Sequence, residues 1–186
     1  MGKATEPKGL AGLPKLMKIV KRIAILMICL QSLSPQTYAN FDPAFLSFEL
    51  TAQLISSPEQ ISEVLRQDFR VVEDQDSFGH DYWQSPEEFW ENKIGDCEDF
   101  AYLANYLLKL LGRKSYVISI YGDNYAHTVT VFKQHKTFYV FSMGKLTGYD
   151  SKNLKELLTD IHSSWKWAAV ARMENHQGKL VQKISR

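Results

Sequence analysis

Between Asp96 and Gly112 the chain reads "DCEDFAYLANYLLKLLG", and this stretch constrains the fold more than any other. Cys97, Phe100, Ala101, Ala104, Leu107, Leu108 and Leu111 recur at helical spacing, forming one apolar stripe along a helix expected over Asp96 to Leu111. Gly112 supplies the stop, because glycine accepts the left-handed backbone with which helices end. Directly afterwards the period changes. "SYVISIY", "AHTVTVF" and "TFYVFS" alternate or are β-branched and read as strands. Helices followed by strands with short polar connections fit an α+β fold, with the cysteine helix packed on an antiparallel β-sheet.

The segments before it read as the rest of the helical layer. "DPAFLSFELTAQLI" and "SPEQISEVLRQDF" carry helical apolar spacing, and the second opens with Ser57 as cap and Pro58 at the first helical position. "EDQDSFGHDYW" is a polar loop, and "SPEEFWENK" starts a short helix with Ser85 and Glu88 in a capping-box pattern. Beyond the strands, "SKNLKELLTDI" reads as another short helix and "WKWAAVARM" as the last strand, with 174–186 a polar, fraying tail.

Composition enters through the N-terminal end. Lys15, Lys18, Lys21 and Arg22 precede the apolar run "IAILMICL", and Thr37 and Ala39 suit a small-residue cleavage site, so residues 1–39 read as a signal peptide with Met17 as an alternative start. The run is far shorter than the roughly 20 residues that span a bilayer, so no permanent membrane span is expected. Removing the leader leaves 16 basic against 20 acidic residues, which provides no basic footprint for nucleic acid. Residues 40–186 suffice for a single domain with its own core. Cys29 leaves with the leader, so Cys97 is the one cysteine of the mature chain and has no internal bridging partner. In a periplasmic or secreted, oxidising setting such a thiol is either buried or used.

Cys97 lies where the apolar face meets the first turn. The helix N-terminus favours a thiolate there, whereas on composition alone a small buried apolar residue is the plainer reading. Asp96, Glu98 and Asp99 oppose ionisation of the sulfur unless they are engaged elsewhere. Asp96 fits as helix cap with Asp99 closing a capping box, and Glu98, turned about 100° from Cys97, fits a solvated position. A calcium ion held by Asp96, Glu98 and Asp99 would also neutralise them. Of the five histidines, His127 starts a strand on the side of Val129 and Val131; His135 falls in the "KQHK" turn, and His80, His162 and His176 read as solvated or packed. A hairpin pairing Phe132 with Thr137 sets His127 opposite Ser142, which makes Ser142 the natural group to orient the imidazole. Asp150 and Asp123 are loop acids able to take that role instead.

The order Cys97, His127 and then a polar residue on the next strand, with "DYWQSPEEFW" leading into "GDCEDFAYLANYLLKLLG", resembles the bacterial transglutaminase-like cysteine proteases of the papain-like/transglutaminase-like superfamily over roughly Phe45 to Asp150. The resemblance implies Cys97 as nucleophile and His127 as general base in a periplasmic thiol hydrolase acting on protein or peptide substrates, with calcium a cofactor in some relatives. The Cys97 backbone N–H is the first candidate oxyanion donor, supported by Asp96, and the Trp83 indole is the second, packing being the other reading of Trp83. The family usually carries Asp or Asn where this chain has Ser142. That departure leaves room for a weakened, purely binding module, and the same residues also suit transamidation.

Overall fold

Short-range hydrogen bonds settle where the helices begin. The computed structural model describes residues 48–74, 82–174 and 177–186, all within one compact unit, Ser47–Arg186. The leader, His80 and His176 lie outside the described residues. Helix α1 spans Phe48–Leu54. Helix α2, Pro58–Asp68, is capped by Ser57, whose side chain accepts from the Gln60 N–H, with proline in its first turn. After strand β1, Arg70–Val71, helix α3, Pro86–Asn92, opens with the full Ser85–Glu88 capping box. Strand β2, Ile94–Gly95, pairs in parallel with β1 and delivers the chain to helix α4, Cys97–Leu110. That helix starts on a capping box of Asp96 and Asp99 and stops at Gly112, whose φ is 71°.

Strands β3 (Ser115–Tyr121), β4 (Ala126–Gln134), β5 (Thr137–Ser142) and β6 (Lys145–Tyr149) follow. Helix α5 (Leu154–Ile161) is capped by Asn153, and strands β7 (Trp167–Glu174) and β8 (Gln177–Ser185) complete the chain. The sheet order is β6-β5-β4-β3-β7-β8, antiparallel at every pairing. The α+β architecture matches the expectation from the sequence.

Side-chain alternation divides the sheet into two faces. Phe132 and Phe141 join Leu103, Ala104, Leu107 and Leu108 of α4 and the apolar residues of α1 to α3 in one core. Ile118, Ile120, Val129, Val131, Val140 and Val170 face the other way, under Leu157, Leu158 and Trp165. Helix α4 is fastened to its face by two buried polar contacts. Thr130 Oγ1 donates to the Ala101 carbonyl at 2.5 Å, and Asn105 Nδ2 donates to Ser115 Oγ at 2.9 Å.

Two expectations are corrected and one strand is added. Residues 177–185 are not a frayed tail but strand β8, paired along β7 with an irregularity at Val170/Ala171. Strand β6 was unmarked in the pattern. It follows a two-residue turn in which Met143 (φ 46°) and Gly144 (φ 73°) are both left-handed, the mirror-type turn whose twist matches a hairpin. The β4–β5 register also differs by two residues. Phe132 pairs with Tyr139, and Gln134 pairs with Thr137, because β4 runs on through Lys133 and Gln134 and only His135 and Lys136 turn.

Candidate active site

The β4–β5 ladder ends at Thr130/Phe141, and two residues further along β4 the N–H of Thr128 donates to Cys97 Sγ at 3.3 Å. The first turn of α4 therefore fills the place where β5 has left the edge of β4, and the peptide joining His127 to Thr128 touches the sulfur. Thr128 and Thr130 share the face toward α4. By alternation His127 springs from the opposite face, with Val129 and Val131. Its Nε2 lies 2.8 Å from Ser142 Oγ. The two-residue register difference preserves this meeting because the period is two: Ser142 remains on the face of His127 and reaches it diagonally rather than directly across.

The acids around Cys97 divide into two roles. Asp96 Oδ1 accepts from the Glu98 N–H at 3.3 Å, and Asp99 Oδ2 accepts from the Asp96 N–H at 3.3 Å. Asp99 is only 1% exposed and is held further by Gln84, whose N–H donates to Oδ1 at 2.8 Å and whose Nε2 donates to Oδ2 at 2.7 Å. Burial pushes the Asp99 carboxyl up to about 6 despite those donors. A Cβ on Gly95 would sit 2.2 Å from Asp99 Oδ2, so glycine is required for the carboxylate to approach the strand entering α4. Nothing in the spacing singles out Gln84, which is fully buried and binds Asn92 Nδ2 and the Ile94 carbonyl as well as Asp99.

Glu98 differs from the solvated position expected for it. It is 7% exposed, and the Cys97 thiol donates to its Oε2 at 3.1 Å. The helical turn of about 100° separates the two Cβ directions, but the longer glutamate side chain folds back over the first turn. Burial first, then the hydrogen bond and charge of Glu98, push the Cys97 thiol up to about 12, against the opposing pull of the Thr128 N–H. The sulfur in this structure is thus a neutral thiol, and the preference of a helix N-terminus for thiolate is outweighed. His127 is pushed below its ordinary value by burial and by the nearby His162, while Asp96 acts in the opposite direction. Asp96 thus acts electrostatically on both Cys97 and His127.

The remaining candidates fall elsewhere. Trp83 is 42% exposed, with more than half of its surface covered. Asp150 accepts from Thr137 Oγ1 at 3.1 Å, toward the far end of β5, and Asp123 is paired with Lys166, so neither loop acid stands in for Ser142. His162 had no signal of its own, yet it lines the same cavity as His127 and Ser142. For a metal, one atom each from Asp96, Cys97 and Glu98 lie within 4.8 Å of one another, and so do atoms from Asp74, Asp96 and Asp99.

A search among curated protein sequences finds no match. Among solved structures, the chain is similar to calcium-bound LapG of Legionella pneumophila, with 21% identity over 67% of this chain and 67% of that one, TM-score 0.46. EGTA-treated LapG gives 20% identity over 66% and 68%, TM-score 0.45. A candidate cysteine protease from Cytophaga hutchinsonii gives 12% identity over 84% of this chain and 57% of that one, TM-score 0.42. The family model described as a transglutaminase-like domain matches residues 48–162, which run from the first residue of α1 past the end of α5 and so take in Cys97, His127 and Ser142. On the extent of that match, the chain belongs to the transglutaminase-like domain family.

Proposed function

We propose that the protein is an exported thiol hydrolase that cleaves peptide or amide bonds by Cys–His acyl transfer, a cysteine peptidase acting outside the cytoplasm on protein or peptide substrates. The observation that carries this reading is the sulfur held against the His127–Thr128 peptide while His127 Nε2 is engaged by Ser142 Oγ. With Nε2 so occupied, Nδ1 is the ring nitrogen left to take the thiol proton. The thiolate attacks the carbonyl carbon, the imidazolium returns that proton to the leaving amine, and His127 then draws a proton from water as it hydrolyses the thioester. The Cys97 N–H, in the first turn and so without an intrahelical acceptor, receives the oxyanion. Ser142 orients the ring but, being neutral, stabilises its cationic form less than a carboxylate would.

Calcium fits the acids at this helix end. Asp74, Asp96, Glu98 and Asp99 are all 9% exposed or less, and carboxylates gathered this closely repel one another, a repulsion that a cation would relieve. Asp96 would hold the ion, with Glu98 on the sulfur side and Asp74 and Asp99 on the other. When bound, calcium supplies the positive charge that makes both the carboxylates and a neighbouring thiolate tolerable. The chain's own part is to keep Asp96 rigid through the capping box and to present Glu98 where a metal competes with the thiol for it.

Incubating the purified protein with a peptide library in calcium, with and without a primary amine, tests the reading. New peptide termini that disappear in Cys97→Ala are expected. Amine-modified glutamine side chains in their place would make the enzyme a transamidase, and peptides left intact by a folded wild type would make it a binding module.

A further inference from the structure

On the Ser142 side of His127 there is a cavity of about 150 Å³, several times the roughly 30 Å³ that a water molecule occupies in the liquid. Its polar lining is Tyr125, His127, Ser142, Thr147, Tyr149 and His162. These are hydroxyls and imidazoles, and among the described residues no carboxylate lines it. The Tyr125 hydroxyl is buried with no hydrogen-bond partner among the described residues, and a buried hydroxyl left unpaired costs about 1–3 kcal/mol.

The walls are held in position. Tyr125 stacks on His162 with ring centroids 3.9 Å apart, and a Cβ on Gly122 would lie 1.9 Å from the Tyr125 ring. The Gly122 N–H closes the β3–β4 turn on the Tyr125 carbonyl at 3.0 Å. Ser164 Oγ lies 3.2 Å from His162 Nδ1, which leaves Nε2 as that ring's other donor or acceptor. The cavity therefore offers hydroxyls and two imidazoles with no carboxylate in its lining, and the one acid that acts on His127, Asp96, belongs to the helix end that holds Cys97.

We propose that this cavity binds a small carboxylate of formate or acetate size, hydrogen-bonded by the Ser142 and Tyr125 hydroxyls, which provides the negative charge beside His127. Its effect on catalysis rests on the acyl-transfer reading, but the binding does not. Thr147 and Tyr149 are the other hydroxyl-bearing residues of the lining, which both imidazoles share. Ser142→Asp builds the same charge into the chain and occupies the same space.

The test is histidine-side-chain NMR on Cys97→Ala protein as sodium formate replaces sodium chloride at constant ionic strength. The His127 and His162 signals are expected to move together and saturate in the millimolar range (about 1–10 mM), while those of His135 in the exposed turn do not. Tyr125→Phe should weaken the midpoint about tenfold, and Ser142→Asp should remove the saturation. Shifts that stay linear and equal at all three histidines would overturn the proposal, as would unchanged saturation in folded Ser142→Asp and Tyr125→Phe proteins. Saturable binding in a protein that never cleaves peptides would refute the acyl-transfer reading and leave the site standing. Full turnover without saturation would refute the site alone.

Discussion

Glu98→Gln is the substitution that most separates the resting sulfur from an activated one. The rise of the Cys97 thiol from an ordinary 9.0 to about 12 corresponds to roughly 4 kcal/mol against the thiolate. Burial supplies the largest part, and Glu98 supplies the next two through its hydrogen bond at 3.1 Å and its charge. Two unit charges about 4 Å apart interact by about 4 kcal/mol at an effective dielectric of 20 and about 1 kcal/mol in water, and this half-buried pair lies between those limits. Removing the charge while keeping an oxygen to accept from the thiol should therefore lower the thiol pKa by about 0.7 to 3. At pH 8 the thiolate fraction, and with it the labelling rate, should rise about fivefold or more. The assay is iodoacetamide labelling across pH in chelator, read by mass spectrometry on the peptide containing Cys97, with melting temperature as folding control. Calcium should raise the labelling rate of the wild type and have less effect on Glu98→Gln. A folded variant whose pH profile overlays the wild type would show that Glu98 does not hold the thiol neutral.

Three further outcomes follow from the same geometry. Asp96→Ala removes the helix cap and should cost about 0.5–2 kcal/mol, measurable by urea denaturation at pH 7 in chelator. Asp99 lies near 6 in the folded protein against an ordinary 3.8, so its protonated form favours the fold. Its contribution is fully present below about pH 4 and is lost as pH rises through 6, a fall of about 3 kcal/mol that urea titrations in chelator should show in the wild type but not in Asp99→Asn. N-terminal sequencing of the exported protein should begin at or near Asn40, and an intact residue 1–39 segment would refute the leader reading.

What the sequence revealed was what is decided locally. Ser57 with Pro58, Ser85 with Glu88, and Asp96 with Asp99 are short-range caps whose partners lie two or three residues away, so their pattern suffices. The facing of His127 and Ser142 also survives an error in register, because any even shift keeps both on one side of the sheet. The shift itself was hidden since Lys133 and Gln134 look like turn residues yet remain paired. Strand β8 was hidden for a related reason: most of its residues are exposed at the sheet edge, and only pairing with β7 makes it a strand. The chemistry around the sulfur was the least legible. Glu98 reaches the thiol by a side-chain rotamer, and Gln84 reaches Asp99 across fifteen residues, neither of which leaves a period or a motif. His162 depends on where α5 ends over the second face of the sheet.

The central claim, that Cys97 forms an acyl-enzyme with the help of His127, is tested most directly by intact-protein mass after acid quench of a reaction with the p-nitrophenyl ester of a blocked amino acid. A single acyl adduct on Cys97, released by hydroxylamine, is the expected result. It should be absent in Cys97→Ala and form about 10²- to 10⁴-fold more slowly in His127→Ala. Ester turnover that persists in Cys97→Ala, or an adduct that forms at the wild-type rate without His127, would contradict the account.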